Sequence, residues 1–259
     1  MNRYLVALLA LLWAWSAVAE DRVLASLFSR YGVSGTIVLA SLHGGQTFIH
    51  DDHRAHRRLS PASTFKIPNT LIALEEKAIS GADGELKWDG HHYDFPDWNR
   101  DQTLESAFKV SCVWCYQVLA RRVGAEKYRG WLRRCSYGEL REPFNETTFW
   151  LDGALKISAV EQVAFLKALV LRKLPFSASS YDTLRRIMLA ERTPSYAVWA
   201  KTGWAARVKP QVGWYVGYVE AGSEVWLFAT NIDVRGERDL PLRKELTYAA
   251  LRARGIIPQ

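Results

Sequence analysis

Two short runs rich in β-branched and apolar residues, GTIVLASL (35–42) and QTFIHD (46–51), are split by His43-Gly44-Gly45. That arrangement predicts a β-hairpin. Upstream, Asp21 is placed to cap a short helix through Tyr31, with Leu24, Leu27 and Phe28 on one face. Downstream, the pattern predicts a helix from near Ser63 to Gly81, in which Pro68 is tolerable only because it lies close to the first turn. TLESAFKV and VWCYQVLARRVG predict two more helices, broken near Ser111. Ser158 and Glu161 form a capping-box pair ahead of VAFLKALVL, and SSYDTLRRIML begins a further helix. From Ala197 the pattern turns to that of strands. VWAKTGW, VGWYVGYVEA and EVWLFATNI predict successive antiparallel strands, and Pro241 opens a last helix ending at Gly255.

Strands at both ends with helices between them predict an α+β fold. One antiparallel sheet is built from both chain termini and flanked by helices, and a mostly helical lobe is inserted. There is no internal repeat, low-complexity segment or long linker. The first residues, MNRYLVALLALLWAWSAVAE, have a positive start, a short apolar run and a small-x-small site at Ala17-Val18-Ala19. They predict a signal peptide over 1–19 that is cleaved near Ala19, leaving a single exported domain over 20–259. The apolar run is short for a membrane span, and no cysteine follows it to carry a lipid anchor.

The formal charge of +7 over 259 residues includes Arg3 of that leader. Its lysines and arginines are scattered, which favours a basic soluble surface over nucleic-acid binding. Three cysteines, Cys112, Cys115 and Cys135, are too few for a disulfide scaffold. Cys112-Val-Trp-Cys115 has redox spacing without a βαβ setting, and no cluster supplies further zinc ligands. Small buried helix residues are the expectation, with an incidental disulfide as the alternative.

The candidate chemistry lies at Ser63 and Lys66. Positions i and i+3 share a helix face, so the two side chains can meet among apolar neighbours. A serine needs a base, and desolvation can free a lysine amine for that work. Ser106 and Lys109 repeat the spacing, but Leu104 and Phe108 carry the apolar face there and Lys109 is free to reach water. Lys201-Thr202-Gly203 lies inside a predicted strand. It reads either as a carboxylate-binding edge on which glycine leaves room for a ligand, or as an edge strand decorated with lysine. Ser111-Cys112-Val113 at a helix boundary is weak alone, but the order is not: Ser-x-x-Lys, Ser-x-Val 48 residues on, then Lys-Thr-Gly 90 residues further.

That order resembles the class D, oxacillinase-type serine β-lactamases. Relatives in the penicillin-binding group carry Ser-Asp-Asn in the middle position instead. SPASTFKIPNT, DWNRDQTLESAFKVSCVWCYQ, FWLDGALKIS, AKTGW, GWYVGYVE and LPLRKELT extend the resemblance over nearly the whole mature chain. One departure is Glu139, in Tyr137-Gly138-Glu139, where the family often has asparagine.

The resemblance implies a penicillin-binding-protein-like fold. It also implies hydrolysis of the β-lactam amide of small-molecule substrates, with no cofactor beyond carbon dioxide. Ser63 would be the nucleophile, and Lys66, as N6-carboxylysine, the general base. Ser111 would relay a proton to the leaving nitrogen, and Lys201 would add positive potential. Trp150 would donate its indole N–H to the carbamate, and Val113 and Leu151 would wall it from water. The N–H groups of Ser63 and Trp204 would form the oxyanion hole. Thr202 and Arg243 would hold the substrate carboxylate beside Gly203, and Trp98 would flank the substrate side chain. The loop WAARVKPQ (204–211) resembles that of the carbapenem-hydrolysing branch, where Arg207 either holds the loop through an acidic partner or is a solvated loop arginine. A transpeptidase or β-lactam sensor, which deacylates slowly, and a non-catalytic exported binding module are the rival readings.

Overall fold

A computed structural model describes residues 20–259, so the expected signal peptide lies outside the described residues. The described chain starts with α1 (Arg22–Tyr31), the hairpin β1 (Gly35–Ser41) and β2 (Thr47–His50), and a short α2 (Asp52–His56). A 3₁₀ turn, Ala62–Phe65, runs directly into α3 (Lys66–Glu75). The inserted lobe holds the paired short strands β3 (Glu85–Leu86) and β4 (Gln102–Thr103), then α4 (Leu104–Lys109), α5 (Val113–Val123) and α6 (Ala125–Arg134). The small ladder of β5 (Glu139–Leu140) and β6 (Leu155–Lys156) leads to α7 (Ala159–Val170) and α8 (Ala178–Met188). The chain then returns as β7 (Leu189–Arg192), β8 (Tyr196–Ala205), β9 (Gln211–Ala221) and β10 (Glu224–Val234), and closes with α9 (Leu242–Ala253).

The main sheet is antiparallel with order β2-β1-β10-β9-β8-β7, so β1 from one end of the chain pairs along its length with β10 from the other. Both faces are covered, and the period of two sorts side chains between them. Val212, Trp214, Val216 and Tyr218 of β9 enter the large core shared with α7 and the lobe, whereas Tyr215 and Val219 enter the smaller core under α1 and α9. The expected α+β architecture, with a sheet from both termini and an inserted helical lobe, is the observed one.

Local chemistry explains where the elements begin and end. Asp21 accepts hydrogen bonds from Val23 N and Leu24 N, as expected of a cap. Ser158 and Glu161 complete their reciprocal capping box. The helix expected to reach Gly81 stops at Glu75. Lys77 adopts φ 55° there, while Ala78 N–H donates to Ala73 O and Lys77 N–H to Leu74 O. That is a Schellman closure with lysine where glycine is usual, so the sequence signal misled. Pro68 is the third residue of α3, where its missing N–H removes no intrahelical bond. The helices α2 and α6 and the edge strand β7 were not anticipated.

Backbone packing in the middle of the sheet sets a sharp constraint. A Cβ at Gly217 would lie 2.1 Å from Trp199 O and 2.7 Å from Ala200 Cα. At Gly130, inside α6, a Cβ meets nothing within 4 Å. Gly217→Ala is therefore expected to destabilise by about 1–3 kcal/mol through overpacking, and Gly130→Ala to stabilise by up to about 1 kcal/mol through helix propensity. Thermal unfolding of the two variants checks this: shifts of the same sign contradict it.

Candidate active site

The turn that carries Ser63 is held from several sides. Trp150 O accepts from Ala62 N at 3.0 Å and from Ser60 Oγ at 3.1 Å, and Trp214 Nε1 donates to Ser60 O at 2.9 Å. Thr64 Oγ1 donates to Pro61 O and accepts from Gln162 Nε2. These bonds hold Ala62 at φ 47°, a sparsely populated conformation for a residue with a side chain. Ser63 is the second residue of the 3₁₀ turn, a position whose N–H has no acceptor within the turn.

Lys66 opens α3 and is 1% exposed. Its Nζ donates to Ser63 Oγ at 3.3 Å and lies 4.6 Å from the centre of the Tyr116 ring. No carboxylate pairs with it among the described residues. Desolvation without a counter-charge lowers its pKa from 10.5 to about 7. Trp150, fully buried, stacks on Phe65 with ring centres 5.6 Å apart, and its Nε1 has no hydrogen-bond partner among the described residues.

Ser111 lies in the break between α4 and α5 at φ 56°. Its Oγ accepts from Lys201 Nζ at 2.5 Å, and the same nitrogen reaches Thr202 O and Oγ1 at 3.2 Å. Lys201 is 4% exposed, which excludes the reading of a decorated edge. Burial, then the charges of Lys66, Arg243 and Lys109, push its pKa well below the usual lysine range. β7 pairs with β8 only at Ala197–Trp199, so the Lys201–Ala205 edge is open toward the Ser63 turn. A Cβ at Gly203 would lie 2.9 Å from Pro61 O and 3.0 Å from Thr64 Cγ2. The space where a Gly203 side chain would sit is thus taken by the Ser63 turn itself, and Gly203 also lines the cleft.

A cleft of about 490 Å³ opens over these groups. Ser63, Ser111 and Thr202 line its floor, Val113 and Leu151 a wall, and Trp98 an aromatic end with Phe95 and Tyr93. Trp98 Nε1 donates to Val110 O, which fixes the ring. Arg243 enters from α9, where Nη1 donates to Gly203 O at 3.0 Å, and desolvation lowers its pKa to about 10. Trp204 is half-buried and donates from Nε1 to Gln211. All twelve residues expected from sequence lie in the cleft, in the turns beneath it, or in direct contact with such a residue.

Residues 36–252 match the family model described as the penicillin binding protein transpeptidase domain. Beta-lactamase OXA-48 of Klebsiella pneumoniae is 39% identical over 231 residues, covering 89% of this chain and 87% of the relative. Beta-lactamase OXA-10 of Pseudomonas aeruginosa is 39% identical over 233 residues, covering 89% and 88%. The chain belongs to the class D β-lactamases. Among solved structures it is similar to the class D enzyme YbXI from Nostoc (TM-score 0.88, 41% identity, 90% of this chain and 98% of that one). The class D enzyme FUS-1 (OXA-85) of Fusobacterium nucleatum gives a TM-score of 0.90 at 34% identity over 93% of this chain and 100% of that one. It is a hydrolase of β-lactams, and its family needs no cofactor.

Several features of this class D β-lactamase were not read from sequence. Tyr116, whose hydroxyl pairs with Thr70 Oγ1 at 2.7 Å, forms the floor beneath Lys66; its helix spacing gave no sign of that. Cys112 and Cys115 form a disulfide, the alternative rather than the first expectation from sequence, because the helix turn brings their Cα atoms to 5.5 Å. Cys135 is buried and free. Ser106 is the capping-box partner of Thr103, and Lys109 is exposed with its ammonium on Leu189 O, so that Ser-x-x-Lys pair is structural. Arg207 is exposed and has no ion pair among the described residues, which fits the solvated loop arginine and not the acidic partner. Glu139 lies outside the cleft and accepts from Arg58, which also pairs with Glu161.

The tight seating of β8 on the Ser63 turn gives a test. Gly203→Ala must part the two by several tenths of an ångström, and misplacement on that scale costs up to about 10²-fold in rate. A loss of kcat/KM of at least about tenfold with little change in unfolding temperature is expected. Unaltered steady-state kinetics in that variant contradict the close approach.

Proposed function

We propose that this enzyme opens the β-lactam ring through a Ser63 acyl-enzyme and that Lys66 supplies the base for both halves of the reaction. One observation carries the reading: an amine with a pKa of about 7, buried without an acid, 3.3 Å from the Ser63 hydroxyl. A neutral lysine adds carbon dioxide, and the resulting N6-carboxylysine supplies an anion beside Ser63. The orphaned Trp150 Nε1 is the donor that fits such an anion. Lys66 takes the Ser63 proton in acylation and later draws one from water. Ser111, bonded to Lys201, passes a proton to the departing ring nitrogen. The Ser63 and Trp204 N–H groups receive the oxyanion. Thr202 and Arg243 hold the substrate carboxylate, which the uncompensated charge of Arg243 attracts. Val113 and Leu151 shield Lys66, and Trp98 packs on the acyl side chain. We infer export to the bacterial periplasm after cleavage near Ala19, as a single domain over 20–259.

Ser63→Ala is expected to form no adduct with benzylpenicillin by intact-protein mass spectrometry; an adduct retained in that variant overturns the assignment. Lys66→Ala is expected to lose about 10²-fold or more in turnover and to retain any acyl group it forms. The pH dependence follows from the sign of the shift. The amine is neutral above about 7 and increasingly protonated below it, so activity without added bicarbonate falls below pH 7 and bicarbonate restores it. A bicarbonate-independent rate at pH 6 contradicts the base assignment. A burst without steady turnover would instead indicate the sensor.

The substrate range extends, in this proposal, from penicillins to carbapenems. The short β8–β9 loop packs Val208 against Gly153, next to the Leu151 wall, where a Cβ on Gly153 would lie 3.3 Å from Val208 Cγ1. A loop held there borders the cleft through Ala206 and Arg207 without covering Ser63. Imipenem absorbance is expected to fall continuously under excess substrate. A stable Ser63 adduct with no further loss, while penicillins turn over, leaves a penicillin-directed enzyme.

A further inference from the structure

The first turn of α5 concentrates more of the site than any other segment. Ser111 precedes it with its Oγ on Lys201, and Val113 faces the cleft. Trp114 Nε1 donates to Trp98 O at 2.9 Å, tying the turn to the aromatic end. Tyr116 lies beneath Lys66, and Gln117 lines the cleft. Within this one turn sits the Cys112–Cys115 disulfide, both residues fully buried. Cys112 is also the N-cap residue, and its Sγ accepts from Cys115 N at 3.2 Å.

Ser111 has φ 56°, a conformation that a residue with a side chain leaves unless its neighbours hold it. Its preceding side is held by Ser111 N–H to Phe108 O at 3.2 Å and Cys112 N–H to Ala107 O at 2.9 Å. On the following side the turn begins with the weak N–H to sulfur cap and the covalent bridge. A link across three residues closes a very small loop, which removes little entropy from the unfolded chain. Global stability is therefore a poor account of this bridge, and local geometry a good one.

We propose that the Cys112–Cys115 disulfide is a positioning clamp that holds Ser111 in its left-handed conformation against Lys201 and so sets the rate of proton delivery in acylation. The cysteines touch neither substrate nor reacting atoms; they act through Ser111. The proposal rests on the relay assigned above to Ser111.

The test combines thiol counting with a double-mutant cycle on the full-length protein, exported to an oxidising compartment. After denaturation, iodoacetamide is expected to label one cysteine, Cys135; labelling of all three overturns the clamp. The double variant Cys112→Ala/Cys115→Ala is expected to lose about tenfold in kcat/KM for benzylpenicillin, with an unfolding temperature within a few degrees of wild type. In a Ser111→Ala background the same pair of substitutions is expected to cost less than twofold. Equal losses in both backgrounds mean an effect that does not run through Ser111, and overturn the proposal. Cys112→Ser/Cys115→Ser keeps a polar cap and guards against a folding defect: full recovery of rate with serine also overturns it, since serines cap but do not link. An intact rate without the cysteines, beside a crippled Ser111→Ala, sinks the clamp and leaves the relay standing. An intact rate in Ser111→Ala sinks the relay.

Discussion

Everything in the cleft depends on an amine buried where no acid can compensate it. Taking the Lys66 pKa from 10.5 to about 7 disfavours its charged form by on the order of 5 kcal/mol. The fold accepts that cost because Lys66 opens α3 over the ring of Tyr116, in a segment where Phe65, Ile67 and Leu71 are buried as well. A carboxylate in that pocket would raise the pKa and leave a plain ammonium. In the proposed mechanism, its absence among the described residues is what lets a lysine serve as a base near neutral pH.

The second buried lysine follows a related logic. Lys201 gives its hydrogen bonds to neutral oxygens of Ser111 and Thr202, and Arg243 gives one to a backbone carbonyl. Neither has an acidic partner among the described residues, so the Arg243 charge remains available to an anion entering the cleft, while burial and the neighbouring cations disfavour the charged form of Lys201. The backbone around these groups is strained at two points, Ala62 and Ser111, each immediately beside or at a residue of the serine pairs. Two structural tethers allow this. The Trp150 carbonyl and Trp214 indole hold the Ser63 turn from below, and the bridged first turn of α5 lies beside Ser111. Rigidity here serves geometry more than stability.

Much of this was legible in the chain. The three short motifs lie on elements whose types the pattern predicted: a helix start, a helix break and a strand. Side chains with local partners were readable too, such as Asp21 and the Ser158–Glu161 box. What escaped the sequence depends on long-range packing. Nothing near Gly203 announces that Pro61 and Thr64 will press against it, and nothing near Trp150 that its indole N–H will be buried unpaired. The stop at Lys77 defeated a glycine rule, because a lysine took the left-handed position. The cysteine spacing admitted a bridge, but only the packed turn makes one.

The central claim is that Lys66 is a neutral amine poised to bind carbon dioxide. Carbon-13 NMR of the enzyme equilibrated with labelled bicarbonate tests it most directly. The account requires a single protein-bound carbamate resonance at pH 8 that fades as pH falls through about 7 and is missing in Lys66→Ala. An enzyme that hydrolyses penicillin at full rate with no such resonance, or with one that survives in Lys66→Ala, contradicts it.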